Sequence, residues 1–157
     1  MPIYMRITKS GVPVIRGDAT AKGYERWIEL SAVQMGLSRS IATDGEKSGS
    51  VLSEIVITKS MDSASPALFQ QSLNGEAVTI QIDFVESGAD KSSYLTYTLQ
   101  NALISGYSPG TIRTDENVAL NFTKMTFDVH GIGPDVSVHA GMLMRGWNAN
   151  PGTRCVR

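Results

Sequence analysis

Apolar and polar residues alternate along much of this chain, and such alternation is the period of a half-buried β-strand. The clearest case is residues 116–130, where every second residue from Val118 to Phe122 is apolar. From Met125 onward the apolar residues fall on the opposite parity. A strand cannot change faces without an extra residue, so we expect a bulge or sharp bend near Thr123-Lys124. A long, bent strand of this kind suits the corner of a β-barrel.

The same periodicity predicts roughly eight short strands in all. Besides residues 116–130, they lie within residues 3–8, 27–35, 51–58, 78–84, 95–104 and 136–148. No internal repeat or linker divides the chain, so we expect one domain over residues 1–157, with 149–157 as a flexible tail. The predicted fold is mainly β: an antiparallel β-barrel flanked by one α-helix.

The helix is predicted after the third strand. Ser65 can cap it, Pro66 fits the first helical position, and Asn74-Gly75 can end it. The apolar side chains of Leu68, Phe69 and Leu73 form a stripe that we expect to lie against the barrel.

The third strand is apolar on both faces. Val51, Ile55 and Ile57 share one face, whereas Leu52 and Val56 share the other. Apolar residues on both faces indicate that both faces are covered. In a small barrel the outer face needs a helix or a neighbouring subunit, so Leu52 and Val56 are candidate contacts of a ring.

The stretch from Gly36 to Ser50 is polar and is predicted to be a long loop. Long polar loops in compact domains are usually functional or disordered. Its charged residues are of mixed sign, and they are Arg39, Asp44, Glu46 and Lys47.

Composition excludes several classes of partner. The formal net charge is -1 and no basic run occurs, which argues against a nucleic-acid surface. Cys155 is the only cysteine, so an internal disulfide is impossible. No signal peptide or membrane-spanning apolar run is found, so we expect cytoplasmic synthesis, no membrane insertion, and any export to proceed without a cleaved signal.

Catalytic patterns are weak. Residues 106–110 match G-x-S-x-G, but Pro109 follows the serine and lacks the N–H that an oxyanion hole requires. Asp128 and His130 share a strand face without a nucleophile placed beside them, and no metal-ligand spacing occurs. We therefore predict no catalytic, cofactor-binding or metal-binding residues; a small enzyme of unknown class is the disfavoured alternative.

Two further features each allow two interpretations. Trp27 and Trp147 are either interface anchors or ordinary core residues. The outward faces of several strands carry mostly uncharged polar residues, which form either an ordinary solvated face or the neutral lining of a channel. The lining candidates are Thr79, Gln81, Thr96 and Thr98.

Five segments together resemble the Hcp family, the tube-forming proteins of type VI secretion. They are residues 1–8, 18–30, 54–71, 94–107 and 115–124. The chain departs from the family at its carboxyl end, where it reads Gly146-Trp147-Asn148 and continues into an extra tail.

The resemblance implies a homo-hexameric ring with a wide pore, whose rings stack head-to-tail into a tube. It further implies contacts with type VI spike and sheath proteins, small effectors carried in the lumen, and secretion from the bacterial cytoplasm. No cofactor or catalytic residue is implied. On this basis Leu52, Val56, Trp27 and Trp147 become ring-interface candidates, and the charged residues of 36–50 become stacking candidates. A phage-type tail tube protein, which shares this physical logic, is the alternative.

Overall fold

The structure is a computed structural model that describes residues 1–41, 47–88, 92–110, 114–130, 136–143, 146–148 and 154–156. These residues contain twelve strands and one helix. The strands are β1 (Ile3–Lys9), β2 (Val12–Ile15), β3 (Ile28–Leu30), β4 (Ala32–Ile41), β5 (Lys47–Ser60), β6 (Val78–Val85), β7 (Ser93–Pro109), β8 (Asp115–Asn121), β9 (Lys124–Val129), β10 (Val136–Leu143), β11 (Gly146–Asn148) and β12 (Arg154–Val156). The helix, α1, is Ser65–Asn74 and lies between β5 and β6.

All twelve strands belong to one antiparallel sheet, in the order β12-β10-β11-β5-β8-β7-β6-β1-β2. Three strands lie off this path: β3 pairs with β1, β4 pairs with β5, and β9 pairs with β10 and β7. Only Ser31 separates β3 from β4, and its N–H donates to the Thr58 carbonyl at 2.7 Å. The continuous segment formed by β3, Ser31 and β4 pairs with β1 through β3 and with β5 through β4. It therefore links two strands that are far apart along the path, and the sheet is strongly curled. The predicted class, mainly β and antiparallel with a single helix, is confirmed.

The predicted bend near Thr123-Lys124 is also confirmed. β8 ends at Asn121 and β9 begins at Lys124. β8 pairs with β5 and with the second half of β7, whereas β9 pairs with β10 and with the first half of β7. Phe122 and Met125 lie on either side of the break, and both are buried in the same core. The change of parity therefore keeps the apolar residues inside while the chain crosses to a new strand.

The prediction of a loop over Gly36 to Ser50 is wrong for most of its length. β4 runs to Ile41 and β5 starts at Lys47, and the two pair as an antiparallel hairpin. Residues 42–46 lie outside the described part. The hairpin forms because backbone pairing needs no alternating apolar set. The structure also contains more strands than the eight predicted. One of the additional strands is β2, which a turn at Ser10 and Gly11, both with positive φ, folds back onto β1.

The helix ends as predicted, at Gly75 in the left-handed conformation with φ 64°. Its start differs, because Ala64 occupies the N-cap position and makes no side-chain cap hydrogen bond. The predicted apolar stripe is only partly right: Leu68 is fully buried, but Phe69 and Leu73 are 51% and 72% exposed. The inward face is instead built on Ala64, Ala67 and Leu68, which pack into the core.

The core fills the inside of the curled sheet with aliphatic side chains from most strands. Its fully buried members include Met5, Ile7, Ile28, Ile55, Ile57, Leu68, Ile80, Ile82, Leu99, Val118 and Leu120. At the rim, Gly17 approaches the backbone of Trp27 so closely that an added Cβ would lie 2.4 Å from its carbonyl oxygen. The segment before β3 can therefore lie flat against residue 27 only with glycine at position 17.

Within the predicted flexible tail, residues Arg154–Val156 form β12, which pairs with Val136–Val138 of β10. This corrects the expectation of an unstructured ending for those three residues. These three residues form a strand because their backbone pairs with an otherwise open side of β10. Residues 149–153 and 157 lie outside the described part.

Candidate functional surfaces

The outward face of β5 is apolar at its centre, as the two-sided pattern predicts. Ile55 and Ile57 are fully buried, whereas Val56 between them is half-buried on the opposite face. Val56 lies beside Gln34 of β4 and Ala119 of β8 in the pairing register. α1 packs against β7. The side chain of Leu52 lies outside the described part, although its backbone pairs with Leu37.

The two tryptophans lie in different settings. Trp27 is half-buried, and its ring meets the edge of Tyr24 at a centroid distance of 5.0 Å. The Arg6 guanidinium lies over the same ring at 4.8 Å, a cation–π arrangement. Trp147 pairs through its backbone with Ser50, which joins β11 to β5, and its side chain lies outside the described part. The structure does not bring Trp27 together with Val56 in any described contact.

The β4–β5 hairpin extends well beyond the part of β5 that pairs with β8. β5 pairs with β8 only from Ile55 to Ser60, whereas its pairing with β4 continues back to Lys47. At about 3.3 Å per residue, the stretch from Ile55 to Lys47 spans about 25 Å. Of the predicted stacking residues, Arg39 and Lys47 belong to this hairpin, while Asp44 and Glu46 lie outside the described residues.

The lining candidates share one face of β6 and β7. Gln81 pairs with Arg6 of β1 and Thr98 of β7, and Thr98 pairs in turn with Thr126 of β9. In the next row, Asp83 pairs with Thr96, which pairs with Asp128. Thr79, Gln81 and Thr98 are half-buried, and Thr96 is buried. The structure therefore places the four candidates on one polar surface.

Hydrogen bonds link the polar surface across its strands. Arg6 Nη2 donates to Gln81 Oε1 at 2.9 Å, and Gln81 Nε2 donates to Asp83 Oδ1 at 3.0 Å. Thr96 Oγ1 donates to the same Asp83 oxygen at 3.0 Å. Burial raises the pKa of Tyr24, and the nearby Asp83 charge raises it further. The surface is thus more charged than the lining candidates alone suggest, and Arg6 and Asp83 each form hydrogen bonds within it.

A second polar network lies inside the molecule, and sequence analysis missed it. Lys59 Nζ donates to Glu116 Oε1 at 2.5 Å and to Asp62 Oδ1 at 2.8 Å, with Lys59 and Glu116 both 0% exposed. Ser65 Oγ donates to the same Glu116 oxygen at 2.5 Å, and the Tyr107 hydroxyl donates to Oε2. The network ties β5, β7 and β8 to the start of α1.

These contacts shift the pKa values of the network. Burial alone would raise the pKa of Glu116, but the hydrogen bonds from Lys59, Ser65 and Tyr107 outweigh it and hold the pKa below its ordinary value. Burial, followed by the bond to Glu116, raises the pKa of Tyr107 to about 12. Both groups are thereby kept in the ionisation states that the network needs at neutral pH.

The G-x-S-x-G stretch has the wrong context for a nucleophile elbow. Ser108 lies within β7, opposite Asn117 of β8. The chain continues into β8, where an elbow requires a helix. Gly110 N–H donates to the Asp115 carbonyl at 2.7 Å, which extends the antiparallel pairing of β7 and β8 by one hydrogen bond.

Comparison with known proteins decides the family. A family model described as "Type VI secretion system effector, Hcp" matches residues 4–129. The chain belongs to the Hcp family. Hcp proteins are structural components of the secretion tube and not enzymes, so family membership confirms the prediction that this chain is not an enzyme.

Solved structures agree on the fold. A mutant form of the Hcp1 protein of Escherichia coli EAEC 042 matches with a TM-score of 0.73 and 21% identity over 87% of this chain and 96% of that one. Hcp1 of Salmonella typhimurium gives 0.74 and 18% over 94% and 100%. A type VI secretion system effector of Yersinia pestis gives 0.72 and 19% over 89% and 99%. No individual curated protein sequence matches this chain.

Family membership also bears on the expected location. Hcp proteins are secreted components of the type VI system. Within the described ranges, no helix has the length and hydropathy needed to cross a bilayer.

Proposed function

We propose that this Hcp-family chain forms a homo-hexameric ring and that its rings stack head-to-tail into the tube of a type VI secretion system. The observation that supports a ring best is Val56, an apolar side chain that points out of the sheet between two fully buried isoleucines. Its neighbours in register, Gln34 and Ala119, carry no charge. An apolar side chain with uncharged neighbours in register can pack against a second copy with little desolvation cost.

The stacking contact is assigned to the β4–β5 hairpin. The hairpin continues beyond the part of β5 that pairs with β8. One such hairpin on every subunit would form a raised rim on one face of a ring. A contact between unlike faces is heterologous, and it extends without limit when the rings lie on a common axis. Arg39 and Lys47 on the hairpin strands make the contact sensitive to salt.

The polar surface on β6 and β7 is the proposed lining of the pore. Thr79, Gln81, Thr96 and Thr98 present hydroxyl and amide groups, and the surface keeps its own charges hydrogen-bonded. A surface that is largely uncharged, and whose main charged groups already have hydrogen-bond partners, can hold a small effector weakly and release it. In this arrangement the spike and sheath proteins contact the ends and the outside of the tube.

Light scattering after size exclusion, combined with negative-stain microscopy of the purified protein, tests the proposal. A ring of about six subunits with an open centre is expected, because a closed ring covers the outward face of β5 in every copy. A stable monomer at micromolar concentration would contradict the ring. Rings that never stack at any salt concentration would contradict the stacking contact alone.

A further inference from the structure

A cleft of about 390 Å³ opens beside β1, β2 and the segment that precedes β3. Three of its lining residues are arginines, Arg6, Arg16 and Arg26, and the ring of Trp27 also lines it. The remaining lining residues are Pro13, Ile15 and Glu25. Three arginine residues along one small space are unusual in a chain whose net charge is -1.

Arg6 is held in place but keeps an unused donor. Its guanidinium lies over the Trp27 ring at 4.8 Å, and Nη2 donates to Gln81 at 2.9 Å. Its Nε is buried and finds no acceptor among the described residues. A buried donor without an acceptor is costly, so a ligand that supplies an acceptor there would relieve that cost.

The cleft has more positive than negative lining residues. Glu25 is its one carboxylate, and that carboxylate accepts a hydrogen bond from the Gly23 N–H at 2.9 Å. Arg16 and Arg26 make no ion pair within the described part of the chain. Three cationic residues beside one carboxylate leave a net positive charge at the cleft, and an anion bound there would balance it.

The backbone holds Arg26 in a rarely populated conformation. Its φ is 64°, in the left-handed region that favours glycine. The conformation is fixed on both sides: the Arg26 N–H donates to Ala19 at 2.9 Å, and the Arg26 carbonyl accepts from Gly17 at 2.8 Å. Backbone strain of this kind is concentrated at ligand clamps.

We propose that this cleft binds an oxyanion, the carboxylate or phosphate group of a ligand, between Arg16, Arg26 and the Nε–H of Arg6. Guanidinium groups match the geometry of both oxyanions and bind them through charge-assisted hydrogen bonds. Trp27 forms one wall of the site and holds the Arg6 plane in position. The inference does not depend on ring formation, since every contact comes from one chain.

The test uses Trp27 fluorescence in a Trp147→Phe background, so that one indole reports on the cleft. Inorganic phosphate and citrate are titrated separately into the full-length protein at constant ionic strength. A saturable change is expected with at least one of them, and the tighter-binding probe identifies the oxyanion class. The Arg16→Gln/Arg26→Gln variant should lose at least about tenfold in affinity, because it removes two charge-assisted contacts.

Lys22→Gln is the matched control, since Lys22 is exposed, lies in the same segment before β3 as Arg26 and does not line the cleft. It should bind as tightly as the parent. Saturation that is equal in the parent and the double arginine variant would overturn the proposal, as would no saturation with either probe. Thermal unfolding of the double arginine variant, in which both substituted positions are exposed, checks that the fold is retained.

Discussion

The ammonium of Lys59 lies 2.5 Å from the carboxylate of Glu116, although neither side chain is exposed to solvent. The two residues are direct partners in the register of β5 and β8. Each points into the interior, where its charge is balanced by the other and by hydrogen bonds from Ser65 and Tyr107. The pair therefore joins two strands and the start of the helix at one internal point.

Glu116→Gln should lower the free energy of unfolding by about 3–5 kcal/mol, because it leaves the Lys59 ammonium buried without its counter-charge. The double variant Lys59→Met/Glu116→Leu should recover most of that loss, since it removes both charges and fills similar volumes. Urea unfolding followed by circular dichroism measures both values.

The exposed pair of Lys9 and Glu76 provides the control, with side chains that are 52% and 56% exposed. Lys9→Met should change the free energy of unfolding by less than about 1 kcal/mol. If Glu116→Gln proves as mild as Lys9→Met, the internal pair does not hold the strands together.

Stability should fall in alkaline solution through Tyr107. Its pKa is raised to about 12, so folding favours the protonated phenol. The contribution is complete below the unfolded pKa of about 10 and is lost as pH rises toward the folded value. The free energy of unfolding, measured by urea titration between about pH 9 and about pH 11, should drop less steeply in Tyr107→Phe than in the parent. Equal slopes would show that folding does not raise the pKa of this phenol.

The Lys59–Glu116 pair could have been predicted from the sequence, because the alternation of side chains along each strand puts both residues on the buried face. Lys59 follows Ile55 and Ile57 at intervals of two, and Glu116 precedes Val118 and Leu120 in the same way. Each charge therefore belongs to the buried side of its strand. The inward face of the helix, Ala64, Ala67 and Leu68, likewise follows the i, i+3, i+4 pattern. Two of these residues are alanines, whose small side chains give a weaker apolar signal in the sequence than Phe69 and Leu73 do.

Other features could not be predicted from the sequence. The β4–β5 hairpin carries few apolar residues, and it is held by backbone pairing that leaves no periodic signal. The arginine cleft is lined by Arg6, Arg16 and Arg26 from separate segments, and the close approach of Gly17 to residue 27 is one of the contacts that bring these segments together. Tertiary contacts between distant segments decide both features.

Val56→Glu should separate rings into folded monomers. The side chain is half-buried and faces away from the core, so a carboxylate there is tolerated in the single chain but is unpaired and desolvated in a ring contact. Leu52→Glu is expected to act in the same way. Light scattering gives the mass, and circular dichroism confirms that the fold is retained.

Val14→Glu is the matched control for this change, because Val14 is a strand residue that is 45% exposed and lies on β2, away from the proposed contact. It should leave rings intact. Unfolding of Val56→Glu would instead place Val56 in the interior, and rings that survive the change would remove this face from the contact.

Shortening the β4–β5 hairpin should abolish tubes while leaving rings intact. Arg39 and Ser50 are partners in the register, so an Asn-Gly turn can join them in place of residues 40–49. The cut keeps Ser50, whose pairing with Trp147 attaches β11 to β5. The cut removes one pair of register partners, Ile41 and Lys47, and otherwise shortens the connection, which has a small effect on stability. The free energy of unfolding should therefore change by less than about 1 kcal/mol.

A second variant keeps the hairpin strands and replaces residues 42–46 with glycine and serine, which separates the effect of these residues from that of the strands. Electron microscopy scores rings and tubes, and the amount of protein in the culture medium scores secretion. Tubes that disappear in both variants assign stacking to residues 42–46, which include Asp44 and Glu46. Tubes that disappear only in the shortened chain assign stacking to the strands, where Arg39 and Lys47 lie. Rings lost together with tubes would place the hairpin between neighbours within a ring, and normal tubes from both variants would exclude it from stacking.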